Sequence, residues 1–114
     1  MLGLGYLTSV SPHTVTTCTH NPFFQDKPEV VFMDINRYHS MVITKPASED
    51  RIQDVYMFGY GAYGNLGFGR NFDYAAYGVV EAYVSIPIRL GFFDDKIVTA
   101  ATTGIHVSFA ATGT

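Results

Sequence analysis

Charge is scarce in this sequence of 114 residues: Lys and Arg number 7, Asp and Glu 10, together 15% of the chain, where an average globular protein has roughly 25%. No basic run is present to collect phosphates through counterion release, so direct nucleic-acid binding is not expected. Cysteine is nearly absent as well. Cys18 alone cannot close an internal disulfide, and none of Asn21, Asn36, Asn65 and Asn71 opens an Asn-x-Ser/Thr acceptor. A reducing, intracellular setting therefore fits better than secretion. Nowhere do about 18 apolar residues run together, and Met1-Leu2-Gly3-Leu4-Gly5-Tyr6 has neither the positive region nor the sustained apolar stretch of a signal peptide. Neither a leader nor a membrane span is expected. So little solvated surface implies that part of it is covered, by further parts of a larger fold or by another chain.

What is present is apolar and repetitive. The chain is 47% hydrophobic and 15% aromatic, in a length that suits one small domain with a modest core. Leu2-Gly3-Leu4-Gly5 returns as Leu66-Gly67-Phe68-Gly69, 64 residues on (66 − 2). Val30-Val31-Phe32-Met33 followed by His39-Ser40-Met41-Val42 returns as Ile97-Val98-Thr99-Ala100 followed by His106-Val107-Ser108-Phe109, with the histidines 67 apart (106 − 39). Two nearly equal offsets indicate a repeat of about 65 residues with a small loop insertion. The chain thus reads as one repeat segment over residues 1–114, with a first unit of about residues 2–65 and a truncated second unit of about residues 66–114.

Within the units the local signals are for strands. Residues 30–35 and 97–101 are short apolar, β-branched runs bounded by charged or glycine-containing turns. Residues 39–44 and 106–111 resume the pattern, which predicts hairpins through Asn36-Arg37 and Thr102-Thr103-Gly104. A third strand is predicted at residues 54–58 and a fourth at 84–90, where Pro87 suits an edge position because it cannot donate to a central ladder. Between them, residues 59–69 are too glycine-dense for helix and read as a turn assembly. Residues 73–83 have room for a helical turn or two. Four strands per unit, repeated, is the sequence pattern of a β-propeller blade.

The stretch Val55-Tyr56-Met57-Phe58-Gly59-Tyr60-Gly61-Ala62-Tyr63-Gly64-Asn65-Leu66-Gly67-Phe68-Gly69 resembles the signature of the regulator of chromosome condensation repeat, a strand ending in Trp-Gly that leads into a Gly-x-Leu-Gly-x-Gly turn. Lys96-Ile97-Val98 with Gly104-Ile105-His106 is similar to the family's second hallmark. The chain departs from the pattern at Phe58, where the family has tryptophan, and at Asn36-Arg37-Tyr38-His39, which lacks the turn glycines. The resemblance implies an all-β partial propeller: one complete four-stranded blade over residues 28–90, the outer end of the preceding blade at residues 2–15, and the inner half of the following blade at residues 97–114. It further implies a protein-interaction scaffold without cofactor or catalytic residues, with completion of the propeller as one role open to its protein partners. The family's founding activity, guanine-nucleotide exchange on a small GTPase, is the alternative.

Gly59, Gly64, Gly67 and Gly69 are expected to be structural turn residues, with Gly67 or Gly69 at positive φ. Gly59-Tyr60-Gly61-Ala62-Tyr63-Gly64 satisfies a G-x-G-x-x-G pattern and has Glu81 downstream, but the glycines that continue to Gly69 oppose the helix that dinucleotide binding requires. His39 and His106 are read as equivalent structural residues opening strands. His13, Cys18 and His20 lack the paired spacing of a zinc site, and Glu49-Asp50 and Asp94-Asp95 are read as solvated turn charges. In residues 70–83, Phe72, Tyr74, Tyr77 and Tyr83 offer either partner contact, the expected role, or packing on the side of their own blade.

Overall fold

The computed structural model describes residues 20–69 and 83–113. Strands β1 (Val30–Ile35), β2 (His39–Thr44), β3 (Asp54–Tyr60) and β4 (Tyr83–Arg89) form one antiparallel sheet in chain order, and β5 (Ile97–Thr103) and β6 (Ser108–Gly113) form a separate hairpin. The described residues contain no α-helix, only short 3-10 turns at Pro22–Phe24 and Gly91–Phe93. The fold is therefore all-β, and the described residues of the unit expected over residues 28–90 form a single four-stranded sheet.

Every residue of β2 is buried, as is every residue of β3 before Tyr60. Successive side chains of a strand point to opposite faces, so unbroken burial means that both faces of these inner strands are covered, which is why Met41-Val42-Ile43 and Val55-Tyr56-Met57-Phe58 run apolar without alternation. Together with Leu66, Val84 and Leu90 they are the core. β4 is an edge strand, and Pro87 falls where its pairing with β3 becomes irregular, between the Met57–Ile88 and Gly59–Val84 pairs. Such an edge spares proline a ladder bond that it cannot make.

A buried charge cluster ties the β2–β3 connection to β4. The Asp54 carboxylate is fully buried; its Oδ1 accepts from Arg51 Nε at 2.6 Å and its Oδ2 from the Ala47 N–H at 2.9 Å, while Arg89 approaches to 3.8 Å. Burial pushes the Asp54 carboxyl up, but the Arg51 and Ala47 hydrogen bonds and the two guanidinium charges outweigh it and hold it below the usual carboxylate range. Of the acidic pairs, Asp94 bonds Arg89, Asp95 bonds Lys96, and Asp50 lies near Arg51.

The internal repeat has a structural counterpart. Ile35 pairs with Ser40 in the first hairpin and Thr103 with Ser108 in the second, a displacement of 68 in both strands (103 − 35, 108 − 40). Both turns hold two residues, closed by Asn36 N–H to His39 O at 3.1 Å and Gly104 N–H to Val107 O at 2.8 Å. Each hairpin also follows a 3-10 turn of the same make. Phe23 meets Phe24 edge-on at 5.0 Å with Lys27 over the Phe23 ring at 4.6 Å; Phe92 meets Phe93 at 5.1 Å with Lys96 over Phe92 at 4.5 Å.

This register corrects the equivalence of the two histidines. At a displacement of 68, His39 corresponds to Val107 and His106 to Tyr38. A one-residue slip along a strand exchanges its faces, so His39 opens β2 fully buried, whereas His106 sits exposed in the turn before β6. The second hairpin accordingly turns at Ile105-His106 and not at Thr102-Thr103-Gly104.

The hairpin docks on the four-stranded sheet through polar bonds at both ends. At one end Gln53 donates from Nε2 to Lys96 O (2.8 Å) and accepts the Val98 N–H on Oε1 (3.2 Å). At the other, Asp34 Oδ2 accepts from the Thr103 N–H (2.7 Å), Thr102 Oγ1 (3.0 Å) and Thr103 Oγ1 (3.2 Å). Between them lies an apolar cleft of about 390 Å³, lined by Val31, Phe32, Ile43, Pro46, Val98 and Ala101 among others.

Candidate functional site

Three connections converge at the end of the sheet where β1 turns into β2: Arg37-Tyr38, the glycine loop after β3, and Ile105-His106. Their side chains form a continuous aromatic cluster. Tyr38 stacks on His106 with ring centroids 5.2 Å apart and 16° between planes, and Tyr63 packs against the other rings, 4.2 Å from His106 and 5.9 Å from Tyr60. Tyr60 closes the set 6.2 Å from Tyr38, and the Arg37 guanidinium lies 5.4 Å from the Tyr38 ring. Tyr63 is 62% exposed and Ile105 60%. Large apolar groups so exposed on tight turns contribute little to the core, and amphipathic rings of this kind are enriched at binding surfaces.

Beneath the cluster a buried polar network fixes the three connections. His39 Nε2 lies 2.7 Å from Ser108 Oγ, Ser108 Oγ donates to Asn65 O at 2.8 Å, and Asn65 Nδ2 lies 2.9 Å from His39 Nδ1 while donating to Tyr60 O at 2.8 Å. One assignment of protons satisfies these contacts. Tyr60 O requires the Asn65 amide nitrogen on its side, so Nδ1 of His39 accepts and Nε2 carries the proton toward Ser108. Burial pushes His39 down from the ordinary histidine value, which keeps the ring neutral. Asn36 completes the frame: its Oδ1 accepts from the Tyr38 and His39 N–H groups, and its Nδ2 donates to Gly104 O.

Ser108, His39 and Asn65 share the composition of a hydrolytic triad but not its wiring. A general base must offer the nucleophile a free nitrogen. Here the nitrogen facing Ser108 holds a proton and the hydroxyl proton is committed to Asn65 O. The arrangement is a clamp between strand, loop and hairpin.

The glycine loop reaches this end of the sheet through positive φ at Gly59 (115°), Gly64 (73°), Gly67 (75°) and Gly69 (88°). Through Gly69 it is a series of turns with no helix, so the G-x-G-x-x-G pattern has no helix N-terminus to present to a phosphate. Phe72, Tyr74 and Tyr77 lie outside the described residues, as do His13, Cys18 and residues 2–15; Tyr83 opens β4 opposite Tyr60. His20 is exposed. Among the described residues no three His, Cys, Asp or Glu side chains group so as to hold a metal, and no helix is long and apolar enough to cross a membrane.

Sequence reasoning missed Tyr38, Tyr60 and Tyr63 because no local pattern joins them. The motif Phe-Phe-x-Asp-Lys at residues 23–27 and 92–96 was a second signal of the repeat, but its offset of 69 (92 − 23) lies one residue away from the hairpin register of 68 that aligns Tyr38 with His106. No protein-family model matches the chain, and no curated protein matches it at a significant level.

Proposed function

We propose that this chain is a protein-interaction module of propeller type, and that the loop end carrying Tyr38, Tyr60, Tyr63 and His106 is its contact surface. The aromatic cluster carries the reading: the exposed Tyr63 and His106 and the half-buried Tyr38 and Tyr60, held over a hydrogen-bonded base, offer large contact area at small entropic cost. The propeller part of the reading draws on the repeated 3-10 turn and hairpin, since blades cover their faces by stacking on neighbours of the same build. The resemblance to the regulator of chromosome condensation repeat points the same way.

The test is differential capture. The full chain and its Tyr38→Ala/Tyr63→Ala variant are used as baits in the same extract, with hydrogen exchange of β2 and β3 verifying that both are folded. A discrete set of proteins bound by the parent and lost from the variant is the expected result. Identical recovery by both baits would remove the loop end from the account. Release of labelled nucleotide from small GTPases on adding the chain would identify the partner class as GTPases.

A further inference from the structure

His39 belongs to β2, yet its ring is the meeting point of three separate elements: its own strand, the glycine loop through Asn65, and the docked hairpin through Ser108. The ring is fully buried and both nitrogens are engaged. A second proton, on Nδ1, would face the Asn65 amide group, donor against donor. Asn65 cannot turn its oxygen to meet that proton without setting Oδ1 against Tyr60 O, 2.8 Å from the present nitrogen. A protonated His39 therefore combines a buried charge with an unmet donor, two costs that a buried site tolerates poorly.

We propose that His39 is a proton-sensitive latch whose protonation releases hairpin β5–β6 from the four-stranded sheet under mildly acidic conditions. The hairpin is the part that yields, because β2 and β3 are paired along their full length and covered on both faces. The hairpin, by contrast, is attached through the bonds of Asp34, Asn36, His39 and Gln53, the Ser108 Oγ to Asn65 O bond, the packing of His106 on Tyr38 and Tyr63, and the apolar cleft. Its outward residues Val107 and Phe109 are 45% and 62% exposed. The charged or titratable groups bearing on the ring are Asp34 from β1 and His106 from the β5–β6 turn. Burial, the largest influence, keeps the ring neutral; a hydrogen bond with the Val107 backbone and the Asp34 charge favour the protonated ring without outweighing it, and His106 opposes it. Asp34 offers limited compensation, since its carboxylate already accepts from Thr102, Thr103 and the Ile35 N–H.

The direction follows from linkage. A histidine pushed down in the docked state takes up its proton more readily once undocked, so docking is complete above the ordinary histidine value of about 6.5 and weakens as pH falls below it. At pH 5 the limiting effect is about 30-fold on the docking equilibrium, the proton-uptake ratio of a free histidine.

Hydrogen exchange of the full chain between pH 7.5 and 5, corrected for intrinsic rates, tests this. Protection of residues 97–113 is expected to fall, by up to about 30-fold, while β2 and β3 keep theirs. His39→Gln, which takes up no proton, is expected to abolish the pH dependence, and His106→Asn to retain it. Flat protection in the parent chain, parallel loss from β2 and β3, or an unchanged response in His39→Gln would each overturn the proposal. If His39→Gln does not fold, the parent's His39 ring resonance decides. Titration below 6.5 in step with hairpin release supports the latch, and titration at or above 6.5, or with the hairpin still protected, refutes it.

Discussion

Replacing Gly59 by alanine puts a methyl carbon where backbone already stands. An ideal Cβ there would lie 2.4 Å from Tyr38 O, 2.7 Å from His39 Cα and 3.1 Å from His39 Cβ. The first two are backbone atoms of the β1–β2 turn and of the first residue of β2, so no rotamer change relieves the overlap. Gly59 also has φ of 115°, outside the range that alanine occupies without strain. The conformational part costs about 1–3 kcal/mol. Relief of the clash must push β3 from the start of β2, which weakens the bond from Tyr60 N–H to Tyr38 O (2.7 Å) and strains the His39–Asn65 contact, about 1 kcal/mol for each neutral bond lost. The total is about 3–5 kcal/mol, a large fraction of the roughly 5–15 kcal/mol of a typical domain. Gly64→Ala is the control. That residue also has positive φ (73°), but nothing lies within 4 Å of its Cβ position, so its cost is the left-handed strain alone, about 1–2 kcal/mol. Urea unfolding of the three proteins at equal concentration should order them parent, Gly64→Ala, Gly59→Ala with similar m-values. If Gly59→Ala were no less stable than Gly64→Ala, the close approach of β3 to the β1–β2 turn would be wrong.

Gly67→Val should lower the melting temperature clearly, because a β-branched residue at φ of 75° is strained; a melt coincident with the parent would contradict the turn described. Asp54 is held below its ordinary value, so its contribution is present above about pH 3.9 and disappears as pH falls toward the lower folded value. Asp54→Asn should flatten the acid limb of a stability-versus-pH curve and cost on the order of 3 kcal/mol at pH 7, by leaving Arg51 without its buried partner; an unchanged acid limb would assign that limb to other carboxylates. Gln53→Ala should raise hydrogen exchange in the first residues of β5, since Val98 N–H and Lys96 O both lose their partner, and leave β2 and β3 unaltered.

The strands were legible because their signals are local. Residues 30–35 and 39–44 are the observed β1 and β2, and the third and fourth strands differ from expectation by one or two residues at their ends. Apolar, β-branched runs cut by glycine and polar turns carry that information in a short window. The second hairpin shows the limit. Matching His106 to His39 is natural by residue type, but strand register is set by pairing and by turn length, and the two-residue turns place His106 against Tyr38. The docking bonds were not legible either. Asp34 to Thr103 and Asn36 to Gly104 span 69 and 68 residues, and a polar residue that will bond across a junction looks in sequence like any solvated turn residue. The aromatic cluster was hidden for the same reason, its members arriving from three separate connections.

Sedimentation of the purified chain at micromolar concentration, with an apolar-dye assay in parallel, tests the central proposal that this is a propeller-type unit built to be covered. Val31, Met33 and Ile35 of β1 are 53%, 55% and 60% exposed, and Phe109 of β6 is 62% exposed. Groups of this size left to water by a small core favour association with whatever covers them. The account predicts self-association, or dye binding relieved by a partner. A compact, cooperatively melting monomer that binds no dye would contradict it.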